Sequence, residues 1–291
     1  MCPAISIIIP IYKVEKYIDR CLASVQAQSF SDFEVLMVDD GSPDRSAEIA
    51  EKYTADSRFK LLRQENKGPG IARNAALAQA QGEYVAFVDS DDAVTADYLE
   101  KLYAAAKETK ADAVMCGYML CDKEGGRLHR KKLTKRAGIY TGETIMKGLL
   151  RDITVKCFLW NKLWKRSLFT DNGILFPTGL FEDNLTVSML VYYARRIAVI
   201  KDSVYIYTRR GDSITGMTDR NCVGDCLTAR LEVRKLLLSS PEASIYKFSL
   251  LFQRIMTLFV TSSWIITGAV RTRSTDRMGE NFRKVLRFSL R

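Results

Sequence analysis

The sequence predicts an α/β protein: an open, mostly parallel β-sheet flanked by helices, with a helical C-terminal extension. Three observations predict it. Over the first 120 residues, continuous β-branched apolar runs alternate with stretches whose apolar residues recur at helical spacing. Strands that are apolar on both faces belong to parallel sheets covered by helices on both sides. From about residue 219 onward the pattern is helical throughout.

The elements follow in chain order. "ISIIIPIY" (5–12) reads as a buried first strand. "VEKYIDRCLASVQAQ" (14–28) sets Tyr17, Ile18, Cys21, Leu22 and Val25 at helical spacing. "FEVLMVDD" (33–40) is the second strand, and the turn-and-cap cluster "GSPD" opens a helix over 45–54. "FKLLRQ" (59–64) is the third strand, and "GIARNAALAQAQG" (70–82) is an Ala-rich helix stopped by Gly82. The strand 84–88, the helix "ADYLEKLYAAAKE" (96–108) and the strand "ADAVMCGYML" (111–120) complete the alternation. After residue 121 the alternation stops. The stretch 122–215 carries dense aromatic clusters instead, "CFLWNKLWKRSLF" and "VYIYTRRGDSIT". No repeat, low-complexity segment or long linker is visible.

Composition narrows the setting. The length allows one or two domains with a large core. No run of 18 or more uncharged apolar residues occurs, so no ordinary transmembrane helix is expected. The N-terminal apolar run has no basic region before it and is too short for a signal peptide. The seven cysteines are odd in number and scattered, with no CxxC and only His129 besides. That argues against a Cys/His zinc site and for reduced thiols in a cytosolic protein. A net charge of +10 implies an anionic partner: a phosphorylated substrate, a membrane surface or nucleic acid. The charge is concentrated in "RLHRKKLTKR" (127–136), with six basic residues and no acid. It is concentrated again in 271–291, with seven basic residues against Asp276 and Glu280.

The acids mark the candidate site. In open α/β sheets, ligands bind beyond the C-terminal strand ends near a topological switch point. "VDD" (Asp39, Asp40) ends the second strand and "VDSDD" (Asp89, Asp91, Asp92) ends the fourth. Crowded like charges repel unless they are well solvated or surround a cation. Mg²⁺ or Mn²⁺ prefers carboxylate and phosphate oxygens and takes one or two protein carboxylates. Asp89 and Asp91 with a diphosphate would suit it. The bland alternative is that Asp92 or Thr95 caps the next helix. "GPGIARNAA" opens a helix after Gly68 and could approach phosphate, although it is neither a Walker nor a GxGxxG pattern. Arg73 in that helix could brace a ligand. Glu182 and Asp183 open a further helical pattern, where acids are also favoured by the helix dipole alone.

Taken in order, "SIIIPIYKVEKYIDRCLASVQAQSFSDFEVLMVDDGSPD", "NKGPGIARNAAL" and "GEYVAFVDSDD" resemble the family 2 glycosyltransferases of GT-A fold. The similarity runs continuously over about 4–120 and extends to "WNKLWKRSLF", "GLFEDN" and "YTRRGDSIT". The resemblance implies a nucleoside-diphosphate-sugar donor, most often UDP-linked. Pro10–Tyr12 would line the nucleobase, with Tyr12 stacking on it. Asp40 would hydrogen-bond the base and Asp39 would support it. Asp89-Ser90-Asp91 matches the DxD motif, Asp89 facing the ribose or the metal and Asp91 ligating Mg²⁺ or Mn²⁺. Asp183, beside Glu182, would be the catalytic base, and Arg210 would reach the diphosphate. The family usually shows ARNxG, whereas this chain has Ala76 in place of that glycine. It also lacks the late metal-binding His of some relatives. One displacement, with Asp183 across the sugar from the leaving diphosphate, would invert the anomeric centre.

The implied organisation is a catalytic domain over 1–215, with a donor half at about 1–120 and an acceptor half at about 121–215, followed by a helical region over 216–291. The acceptor would be a hydroxyl of a glycan or a polyprenyl-linked molecule. The run from Ile255 to Val270 has sixteen uncharged residues, short of a bilayer span. Followed by the basic tail, it suits an anionic membrane surface, hence a cytoplasmic protein peripheral on the inner face of the cell membrane. The alternative is a helix packed on the catalytic domain. Two rival functions are a nucleotidyltransferase, whose basic Gly-rich signature is missing near the first strand, and a basic nucleic-acid-binding protein. Against the latter, the acids gather at strand ends and no nucleic-acid motif is present, so no nucleic-acid partner is expected.

Overall fold

The computed structural model describes residues 2–122, 128–131, 135–152, 154–179, 182–209, 220–272 and 285. The first half alternates as the sequence predicts: β1 (Ile5–Ile11), α1 (Ile18–Gln26), β2 (Phe33–Asp39), α2 (Ser46–Glu51), β3 (Phe59–Arg63), α3 (Pro69–Leu77), β4 (Tyr84–Phe87), the short β5 (Ala93–Val94), α4 (Tyr98–Thr109) and β6 (Ala113–Asp122). β2, β1 and β4 lie side by side in parallel, with β3 parallel beyond β2. The chain therefore runs outward from β1 to β2 and β3, then returns to place β4 on the other side of β1. This reversal makes the switch point whose crevice opens beyond the strands' C-terminal ends.

The continuous apolar run of β1 divides between two cores. Ile5, Ile7 and Ile9 pack with α1 and α4 residues on one face, and Ile8 packs with α3, α5 and α7 residues on the other. α1 buries Ile18, Cys21, Leu22 and Val25. It starts at Ile18 rather than near residue 14, because Lys13 turns through φ +53° and the Val14 amide is held by Ser46 Oγ at 2.8 Å.

The regular alternation gives way after residue 121, but strands continue. The second half supplies β7 (Leu128–Lys131), β8 (Gly138–Tyr140), α5 (Gly142–Arg151), β9 (Lys162–Lys165), α6 (Ser167–Thr170), α7 (Glu182–Tyr193) and β10 (Ile197–Arg209). The sheet order is β3-β2-β1-β4-β9-β6-β10-β5, with β7 on β6 and β8 on β10. β9 runs antiparallel between β4 and β6, while β10 is parallel to β6. The four residues of β9 begin and end in lysine, which hides a central strand from any hydrophobic pattern. One sheet thus crosses the boundary at about residue 120.

The C-terminal part forms α8 (Arg220–Leu238) and α9 (Ala243–Thr272). α8 packs on α7 and α9, and α9 packs on α5. α9 turns Tyr246, Ser249, Leu250, Gln253 and Thr257 inward and leaves Ile245, Phe248, Leu251 and Ile255 exposed. Among the described residues, no helix is long and apolar enough to cross a membrane. The six cysteines whose side chains are described are free thiols.

Candidate active site at the switch point

Asp39 closes β2, and Asp40 follows at the crevice. Both are nearly buried. Asp39 Oδ1 accepts from the Ser42 amide at 3.1 Å. Asp40 accepts three bonds from the segment that leads into α3: from Gln64 Nε2 (2.7 Å) and the Lys67 amide (2.9 Å) at Oδ1, and from the Gly68 amide (2.8 Å) at Oδ2. Gly68 can present its amide there because it adopts φ +89°, a conformation that only glycine takes readily. An ionised carboxylate has about four lone-pair sites, so Asp40 keeps roughly one for a ligand. Pro10 is half-buried in β1. Tyr12, just past it, is 41% exposed, with Lys13 Nζ 5.1 Å from its ring centre.

The acids after β4 divide into different roles. Asp92 is completely buried and accepts from Tyr205 Oη (2.8 Å) and the Thr208 amide (2.7 Å), both on β10. It caps no helix. Its carboxyl is pushed well above the usual range by burial, and further by Asp91 and Asp89. Asp89 and Asp91 are half-buried, while Ser90 between them is buried. Arg20 of α1 steadies this loop by donating to the Asp91 carbonyl (2.9 Å) and to Thr208 Oγ1 (2.5 Å). Tyr205 Oη also accepts from the Asp89 amide at 3.1 Å.

Arg73 joins the two ends of the site. Arg73 is 8% exposed, and its guanidinium lies between Glu182 Oε1, at 2.5 Å from Nη1, and Asp89 Oδ1, at 3.1 Å from Nη2. It thereby ties α3, the post-β4 loop and the start of α7 together. Ala76, at the family's glycine position, is fully buried in the core shared with α3. Asp183, next to Glu182, is pushed up to about 7, first by burial, then by the Glu182 and Asp89 charges; Arg73 opposes the rise. A carboxylate near 7 can accept a proton at neutral pH and still be basic enough to matter.

Asp39, Asp40, Gly68, Arg73, Asp89, Ser90, Asp91, Glu182 and Asp183 thus line one region. Arg210 and residues 211–215 of the "RRGDSIT" segment, the following 216–219, and 273–284 and 286–291 of the basic tail lie outside the described residues. Sequence reasoning missed Arg20, Tyr205 and Thr208. Arg20 sits on the polar side of an ordinary surface helix, and Tyr205 and Thr208 sit in an aromatic strand. Nothing local signals that they meet the acids across more than 70 residues of chain. The residues present fit a hard divalent cation, since Asp89 and Asp91 offer two carboxylates, the number Mg²⁺ takes when phosphates complete its shell. Among the described residues, no group of three or more ligating side chains forms a protein-only metal cage.

Residues 6–169 match the family model described as Glycosyl transferase family 2. Two Bacillus subtilis proteins, EpsH and EpsJ, are similar at 34% and 31% identity over 210 and 220 residues, or 70% and 74% of this chain. The chain spans 60% and 64% of the lengths of these two relatives. Glycosyltransferase GlyG of Streptococcus pneumoniae is 34% identical over 226 residues, covering 74% of this chain and 73% of GlyG. The crystal structure of Staphylococcus aureus TarS 1-349 in complex with UDP-GlcNAc superposes with a TM-score of 0.75 at 25% identity, covering 98% of this chain and 89% of that one.

Proposed function

The chain belongs to glycosyl transferase family 2, and on that premise we propose that it moves a sugar from a UDP-linked donor to a hydroxyl of a glycan or lipid-linked acceptor, with inversion at the anomeric carbon. One observation carries the reading: Arg73 holds Asp89, at the donor strand ends, and Glu182, beside Asp183, on a single guanidinium. The donor acids and a carboxyl poised near neutrality therefore face one crevice. The likeness to the UDP-GlcNAc complex of TarS supports a uridine donor.

In this reading the nucleobase lies against the exposed Tyr12 ring beside Pro10, where Asp40's remaining lone pair accepts from it and Asp39 holds the turn. The diphosphate lies near Gly68, Asp89, Ser90 and Asp91. Asp91, with Asp89, would hold Mg²⁺ or Mn²⁺, which neutralises charge on a departing diphosphate when bound. Arg210 would reach the same phosphates. Arg73 keeps Asp89 and Glu182 in place without leaving its own buried position. Asp183 takes the proton of the acceptor hydroxyl on one carboxylate oxygen as that hydroxyl attacks the anomeric carbon from the face opposite the diphosphate. A cytoplasmic protein held on the inner membrane face by its C-terminal region would meet a polyprenyl-linked acceptor there.

The test is a donor panel. The protein is incubated with Mg²⁺ or Mn²⁺ and UDP-, GDP- and dTDP-sugars, and slow hydrolysis is followed. We expect a UDP-sugar to be hydrolysed, and metal-dependent UDP binding to be lost in a folded Asp91→Asn variant. Failure of every nucleotide sugar to bind, or full activity in Asp91→Asn, would refute the assignment.

A further inference from the structure

Beside the acidic site, aromatic side chains gather in a second cluster. Three parts of the chain bring them together toward the C-terminal edge of the sheet: the second half of β6, the segment entering β9, and β10. Trp160 is 6% exposed and lies nearly parallel to three neighbours. These are Phe158 (centroids 4.6 Å, 14°), Tyr205 (4.4 Å, 21°) and Tyr207 (5.5 Å, 13°). Tyr118 meets Trp160 edge-on at 5.1 Å. Trp160 and Tyr205 are core residues. Tyr118, Phe158 and Tyr207 are only half-buried, so the ladder of parallel rings reaches the surface.

We propose that Phe158, Tyr207 and Tyr118 form an acceptor subsite on which a pyranose ring of the acceptor glycan stacks. The proposal rests on the glycosyltransferase reading and names where its second substrate lies. A pyranose has an apolar C–H face and a rim of hydroxyls. The face of an aromatic ring carries the negative part of its quadrupole and suits such a C–H face.

Position favours this occupant over the nucleotide. Tyr205, inside the ladder, is bonded to Asp92 and to the Asp89 amide. At the other end, Cys157, the neighbour of Phe158, lines a cavity together with Asn184, the neighbour of Asp183. The ladder thus touches the donor-acid loop through Tyr205, and the segment that carries Phe158 runs beside the start of α7. Tyr12, the candidate for stacking on the nucleobase, stands at the end of β1.

The segment is also held more firmly than a surface loop needs. Lys162 is fully buried, and its ammonium donates to the carbonyls of Lys156 (3.2 Å) and Phe158 and to Asn161 Oδ1 (2.7 Å). Asn161 Nδ2 in turn donates to the Cys116 carbonyl at 3.0 Å, and the Asn161 carbonyl accepts from the Cys116 amide at 3.0 Å. A buried ammonium is costly unless fully hydrogen-bonded. Spent here, it fixes Phe158 in place before a ligand arrives, which lowers the ordering cost of binding.

The experiment is a binding titration of the full chain, with UDP and Mg²⁺ present, against methyl β-glucoside, methyl β-galactoside, methyl β-N-acetylglucosaminide, cellobiose, lactose and chitobiose, read by calorimetry and saturation-transfer NMR. Phe158→Ala, Phe158→Leu and Tyr207→Leu are compared with wild type, and each is checked for an unchanged melting profile. Leucine keeps apolar packing on Trp160 but removes the flat ring. We expect at least one saccharide to bind wild type and to weaken by about tenfold in both Phe158 variants, the scale of losing one well-packed aromatic contact. UDP affinity should be unchanged in all. If UDP binds but no saccharide does, or if Phe158→Leu binds saccharide as wild type does, the subsite is refuted and the donor site stands. If wild type fails to bind UDP, the UDP-donor reading on which the subsite rests falls and takes the subsite with it.

Discussion

Asp183 carries the sharpest consequences at the scale of a single residue. Its carboxyl is raised to about 7, so a base role predicts that kcat/KM rises with pH along a limb near 7. Glu182 is the second cause of that rise. Glu182→Gln should therefore move the limb to lower pH, and an unmoved limb would show that Asp183 is not the titrating group. Asp183→Asn should reduce kcat by about 10²-fold or more while leaving donor affinity within a few-fold, because base assistance acts after the donor binds. If Glu182→Gln is dead and Asp183→Asn turns over normally, the base is Glu182. The same raised value has a stability consequence. The unfolded carboxyl titrates near its ordinary value, so between about pH 4 and 7 the folded chain binds more protons than the unfolded one. The site's contribution to stability then falls as pH rises through that window. Thermal melts should show Asp183→Asn more stable than wild type at pH 8 and indistinguishable below about pH 4.

At the scale of elements, α3 and α7 are held against each other through a glycine. A Cβ on Gly70 would stand 2.6 Å from the Pro177 carbonyl oxygen and 3.3 Å from Glu182 Cγ. Backbone cannot yield as a flexible side chain can. Gly70→Ala should thus push α3 away from the segment carrying Glu182 and strain the Arg73 bridge. We expect a loss of about 1–3 kcal/mol in urea denaturation, the usual range for overpacking, together with reduced turnover. A variant as stable and active as wild type would mean that this contact does not set the spacing. β10 plays the matching part on the other side. It reaches the donor loop with Tyr205 and Thr208, so Asp92 works as a tie between strands rather than as a ligand.

At the scale of the whole molecule, α8 packs on α7 and α9 packs on α5 and α8, with Tyr246, Leu250 and Thr257 of α9 turned inward. The opposite face bears Ile245, Phe248, Leu251 and Ile255, with Lys247 on the same helix. Our proposal of an anionic membrane surface predicts co-sedimentation with anionic liposomes. Binding should weaken as salt rises and when 271–291, net +5 from seven basic and two acidic residues, is deleted. Equal binding to neutral and anionic liposomes would rule out the electrostatic part.

The sequence by itself determined the first half of the fold. There each strand is long enough and apolar enough, and each helix periodic enough, for local pattern to decide. It also placed Asp39, Asp40, Asp89 and Asp91 at strand ends, because a charged residue after a buried run marks where a strand leaves the core. The tertiary structure alone decided the rest. β9 is a central strand although two of its four residues are lysines, because Lys162 finds its hydrogen bonds in the preceding loop rather than in water. Arg73 looked like a possible ligand brace from its motif. That it bridges Asp89 and Glu182 depends on a separation of 109 residues closing to 2.5 Å. Asp92 reads like its acidic neighbours in the chain but is buried against β10. Its environment comes from residues 205–208, and no local pattern encodes a contact made across the sheet.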